Sequence, residues 1–194
     1  MVKFLKKIYF FLFSLFTTIG FSQNLEDQIY NAIDSFVANA NPNSLQKLNE
    51  KEVSFSNLVA TNDEKLALVI LYCNKGSYEM KNNKQKNAIT SYEKAWNLFT
   101  KNNLSNYDII EYCLKPLGTL YTKTGNFTLA ENTIKKYIFI AEKENYQPTI
   151  ISGYINLSIV YKTIGNHKTA LELLQKVAKT KTLLQFKRKE LKKK

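Results

Sequence analysis

Histidine is nearly missing from this chain: His167 stands alone among 194 residues, alongside only two cysteines, Cys73 and Cys113. One imidazole and two separated thiols cannot complete a tetrahedral zinc site without carboxylates that nothing in the pattern supports. No cysteine or aspartate lies near His167 in sequence, so a Cys–His nucleophilic pair has no basis either. His167 follows Asn166 and reads as a surface residue in the first turn of a helix. Glycine and proline are scarce, at six and three, and no glycine loop is built to cradle phosphate. No alternating apolar pattern of useful strand length appears. What these absences leave is an all-α chain, read as non-enzymatic and without a cofactor or metal.

Only one long apolar run exists, and it is at the start. Lys3, Lys6 and Lys7 precede Ile8 to Ile19, and Gly20-Phe21-Ser22 sets small residues before a cut ahead of Gln23. This reads as a secretory signal peptide over residues 1–22, too short for a membrane span of about 20 residues. A retained signal anchor is the alternative. No cysteine follows the run, which argues against a lipoprotein. Export places the chain in the periplasm or outside the cell.

The formal charge of +12 is unevenly spread. Lys179 to Lys194 holds eight basic residues and one acid, Glu190, whereas Gln23 to Ala178 holds 17 basic and 15 acidic residues. A long-range field for polyanions would come from the C-terminal run alone. Lys187–Lys194 is either a solvated helix end or a contact for an anionic membrane surface. Export argues against nucleic acid as the partner.

What is abundant is helical pattern. The phrase Leu117-Gly118-x-x-Tyr121-x-x-x-Gly125-x-x-x-x-Ala130-x-x-x-Ile134 returns as Leu157-Ser158-x-x-Tyr161-x-x-x-Gly165-x-x-x-x-Ala170-x-x-x-Leu174. Gly125 and Gly165 suit a left-handed residue after a helix end. Asn126 and Asn166 are placed to cap the following helix. Gly118 and Ser158 allow close approach, Tyr121 and Tyr161 fill the inter-helix space, and Ala130 and Ala170 keep the crossing narrow. A weaker copy uses Gly76, Asn83, Ala88, Tyr92 and Ala95, with Lys75 and Glu79 where the phrase has leucine and tyrosine. Tyr78 is a candidate to substitute for the missing tyrosine.

The pattern resembles the tetratricopeptide repeat, with its Leu-Gly-x-x-Tyr, Ala and Phe or Leu positions. The crossing alanines are 42 and 40 residues apart, against roughly 34 in the standard repeat, so helices and loops are lengthened. The resemblance implies a right-handed α-solenoid of stacked antiparallel helix pairs. Its domains are the signal peptide (1–22), an N-terminal helical pair (23–61), three repeats (62–182) and a basic tail (183–194). The pair over 23–61 is either a degenerate repeat or a cap. Its first helix follows Leu25, Ile29, Ile33, Phe36 and Val37, and its second starts from Ser44 and runs through Leu45, Leu48 and Val53. Leu66 to Leu71 is apolar all round, which predicts burial on both sides. At Pro116 the helix either kinks or restarts. Cys73 and Cys113 fall on neighbouring first helices about 8–10 Å apart, beyond disulfide reach, so both are expected buried and unpaired.

The family's groove-facing positions carry over to Asn74, Ser77 and Lys81, then Lys115, Thr119 and Lys123, then Asn156, Ile159 and Lys162. These imply a concave, partner-binding face for a peptide or protein. The final apolar stripe (Leu171, Leu174) predicts self-association or a further partner, because a solenoid end needs a polar cover. Tyr107 to Gly118, followed by Ala130 to Tyr137, resembles the N-terminal repeat region of exported Bacteroidetes proteins that carry a C-terminal CHAT domain, a caspase-like peptidase module. That likeness covers Leu45 to Ala178. It implies the alternative role of a truncated or standalone regulatory or sensor segment of a larger CHAT-type peptidase or signalling protein.

Overall fold

The computed structural model describes residues 24–191, with side chains described among them except at 183, 184 and 186–191. The leader expected over 1–22 and its cut ahead of Gln23 lie outside the described residues. So do the side chains of Leu183, Leu184, Phe186 and the basic run Lys187–Lys194.

Among the described residues the chain is helical without strands. In order it forms α1 (Leu25–Ala38), α2 (Pro42–Leu58), α3 (Asn62–Lys81), α4 (Gln85–Lys101), a π-helical turn (Ile110–Leu114), α5 (Lys115–Lys123), α6 (Phe127–Lys143), α7 (Gln147–Thr163) and α8 (His167–Leu191). Helices pack on their sequence neighbours, α3 on α4, α5 on α6 and α7 on α8. The pairs join through α4–α5 and α6–α7, and α1 also packs on α3. This is an all-α, tetratricopeptide-like solenoid. α8 runs past residue 182 as one uninterrupted helix to Leu191.

Local chemistry explains the hairpins. Asn83, Gly125 and Gly165 take φ of 58°, 77° and 81° after α3, α5 and α7. The next residue in each case turns its N–H back to a carbonyl five positions earlier: Lys84 to Glu79, Asn126 to Tyr121, Asn166 to Tyr161, at 2.8–2.9 Å. This arrangement satisfies carbonyls that the helix end would otherwise leave open. Asn166 also caps α8, its Oδ1 accepting from Thr169 N at 3.2 Å. Asn126 holds the equivalent place but does not cap; its amide donates to Thr124 Oγ1 instead.

The crossings are tight where the phrase predicts it. Ala88 and Ala130 are fully buried and Ala170 nearly so. A Cβ on Gly118 would stand 3.1 Å from Ile134, and one on Gly76 would stand 3.0 Å from the Tyr92 ring. Ala67, Leu68, Val69 and Leu71 are buried on both sides of α3.

Several sequence expectations need correction. The second N-terminal helix starts earlier than Ser44. Asn41 is the cap and Ser44 its reciprocal partner in a capping box, with Pro42 in the first turn. Val53 is 65% exposed, while Glu52 takes the buried place in that turn. Tyr78 does not stand in for the missing tyrosine; it packs edge-on to Phe36 of α1 at 5.3 Å. At Pro116 there is no break: a π-helical turn, closed by Lys115 N to Ile110 O, leads straight into α5 with the proline in its first turn. The wider winding accommodates a residue that has no N–H to give.

Candidate functional site

The expected groove residues arise from α3, α5 and α7, the first helices of the three pairs. Between α5 and α7, with α6 as floor, lies a cleft of about 230 Å³. Thr119 and Lys123 of α5 and Asn156 and Ile159 of α7 line it together. Gly118, Thr122 and Ile134 complete the wall and floor. The lining is almost wholly apolar below a polar rim, with Gly118 packed close against the buried Ile134.

Each rim residue is held differently. Asn156 donates to Tyr137 Oη at 2.9 Å, which fixes the amide over the floor. Burial above all pushes the Tyr137 hydroxyl up to about 12, so it stays protonated at neutral pH. Thr119 donates to its own helix at Lys115 O, 3.0 Å. Ile159 is half exposed and Lys123 exposed. A side chain that is apolar at its end and flanked by acceptors fits this rim.

The other expected residues stand outside the cleft. Asn74 turns back on α3, donating to Ile70 O at 2.9 Å. Ser77 of α3 is half-buried. Lys115 pairs with Glu111 at 2.5 Å. Lys81 and Lys162 are exposed. The residues that sequence reasoning missed are Gly118, Thr122 and Ile134. Gly118 and Ile134 belong to the repeated phrase itself, read there only as packing positions.

Lys75 and Glu79, the departures from the phrase, build a charged cluster on the opposite side of α3. Lys75 and Lys94 both donate to the buried Glu52 of α2, Lys94 at 2.6 Å. Burial raises the Glu52 carboxyl, but these two bonds outweigh it and hold it below the ordinary value. Glu79 accepts from Ser91 at 2.7 Å, and burial holds its carboxyl above the ordinary value. Cys73 and Cys113 are free and buried, as expected. The neighbouring Cys73 thiol first, then burial, raises the Cys113 thiol. The π-helical turn sets Cys113 fully inside, against Tyr92 O at 3.2 Å.

Residues 69–99 match the family model of the tetratricopeptide repeat. The match covers α3 from Val69 and most of α4, the copy with the two charged departures. The curated proteins hold no match to this chain. Together with the stacked helix pairs, the tetratricopeptide match supports a protein of that type and suggests a protein–protein interaction module. Among the described residues, no group of His, Cys, Asp and Glu is placed to hold a metal, and no helix is long and apolar enough to cross a membrane.

Proposed function

We propose that this protein is an exported interaction module that binds a peptide or protein segment along the face of its first helices, without catalysis of its own. One observation carries this reading: Thr119, Lys123, Asn156 and Ile159, from two successive repeats, converge on a single cleft with an apolar floor. Tetratricopeptide-like pairs place their variable residues on such a face. The signal-like residues 1–22 support export. Selection of displayed peptides on the mature protein, followed by calorimetry of the best binder, tests the reading. Ile159→Asp should weaken binding by at least about tenfold, and Lys123→Ala by about threefold. Unchanged affinity in both variants would remove the cleft from the account.

A second reading, a regulatory segment within a larger peptidase or signalling assembly, draws on a different observation. Leu171 and Leu174 of α8 are 57% and 45% exposed. Their counterparts one repeat earlier, Glu131 and Ile134, are bonded by Tyr161 and buried. Sedimentation of the mature chain separates the two. Concentration-dependent association would favour an uncovered docking face, and a stable monomer would favour the module acting alone.

A further inference from the structure

The second helices carry a pair of equivalent clefts on the side away from the groove. One lies between α2 and α4 over α3, about 300 Å³ in volume; the other between α4 and α6 over α5, about 330 Å³. Their linings correspond position by position: Lys75 to Leu117, Glu79 to Tyr121, Lys94 to Lys136, each 42 residues on, and Glu52 to Trp96, 44 residues on. In the first cleft the chain supplies its own counter-ion, because Lys94 pairs with Glu52. In the second, the position of that carboxylate is taken by Trp96. Lys136 stands over the indole ring at 5.0 Å and has no carboxylate partner among the described residues.

We propose that the cleft between α4 and α6 is a second docking site, for an extended acidic segment of a partner protein that places an apolar side chain beside Trp96 and a carboxylate on Lys136. The apolar side chain is called for by Leu114 and Leu117 in the floor and by Leu129, half exposed on the wall. The carboxylate is called for by comparison with the first cleft, where the same lysine position is satisfied from within. Glu93 shares the rim, but its Oε1 is engaged by Tyr121 Oη at 2.5 Å. Lys176, 40 residues beyond Lys136, differs: it donates to the Tyr154 hydroxyl of its own helix pair at 2.5 Å. This site is independent of the groove on the first helices.

Trp96 is the only tryptophan in the chain, so its fluorescence reports on this cleft alone. The probe is a hexapeptide blocked at both ends, Glu-Ala-Leu-Ala-Glu-Ala, whose twin carries glutamine at both acidic positions. The mature protein should show a saturable change in emission with the acidic peptide and bind the twin about tenfold more weakly. Lys136→Glu, an exposed substitution, should weaken the acidic peptide by a similar factor, while Lys123→Ala in the groove leaves it unchanged. Absence of a saturable change, equal binding of the twin, or loss on Lys123→Ala but not on Lys136→Glu would overturn the proposal.

Discussion

Tyr121 of α5 donates its phenolic hydrogen to Glu93 of α4 at 2.5 Å, and one repeat later Tyr161 of α7 does the same to Glu131 of α6 at 2.7 Å. Each bond ties the first helix of one pair to the second helix of the pair before it. The tyrosine that fills the inter-helix space by its ring thus also pins the step between repeats by its hydroxyl. Burial first, then the neighbouring carboxylate, raises the hydroxyl of both tyrosines, so the donor persists at any ordinary pH.

Tyr121→Phe should therefore cost about 1.5 kcal/mol, the scale of a hydrogen bond to a charged group. Tyr161→Phe should cost less, because Tyr161 is the more exposed. Urea denaturation of the two variants measures both. The double variant should lose the sum, since the two bonds lie in different repeats.

The glycines of the first helices give a second ranking. A Cβ on Gly153 would stand 2.3 Å from Ile138 and 2.9 Å from the Tyr137 ring. Gly153→Ala should destabilise by roughly 2–3 kcal/mol as an overpacked contact. Gly118→Ala meets Ile134 most closely, at 3.1 Å, and should cost about 1 kcal/mol. Thermal melts that reversed this order would contradict the packing between α6 and α7.

Much of this packing was legible because it is local or repeats at fixed spacing. Gly125 and Gly165 announced their positive φ, Asn83 its turn, and Ala88, Ala130 and Ala170 the crossings. The charged cluster was not legible. Lys75 meets Glu52, 23 residues away and across two helix boundaries, and a local pattern shows only that a leucine is missing. The π-helical turn was equally hidden, since Pro116 signals trouble with a hydrogen bond but not which winding relieves it. In the groove, the periodic ruler found both helices that face the cleft. It could not tell Thr119, which lines it, from Lys115, which a neighbouring acid at Glu111 draws away.

The cluster makes stability depend on pH in two opposed ways. Glu52 has a lowered carboxyl in the folded state, so its contribution is present above about pH 4.3 and fades as pH falls through the folded value. Glu79 has a raised one, so ionising it costs stability as pH rises from about 4.3 through its folded value. Glu52→Gln should destabilise at neutral pH by about 3 kcal/mol, because it takes from the buried Lys75 the carboxylate bonded to it. That gap should narrow in acid. Glu79→Gln should be neutral in acid and stabilising by up to about 1 kcal/mol above neutrality. Denaturation midpoints across pH check both signs.

Cys73 and Cys113 should resist a maleimide in the native protein and react together on unfolding, because both thiols are buried and the thiolate is the reactive form. Mass spectrometry of pulse-labelled protein through a urea titration reads this. Early labelling of Cys113 alone would show that the π-helical turn opens before the rest of the fold.

The groove on α5 and α7 is tested most directly by backbone amide shifts on titrating residues 23–194 with their best selected peptide. The largest changes should cluster around Thr119, Lys123, Asn156 and Ile159, with α1 and α2 unaffected. Saturable binding that leaves those four residues unmoved would contradict it.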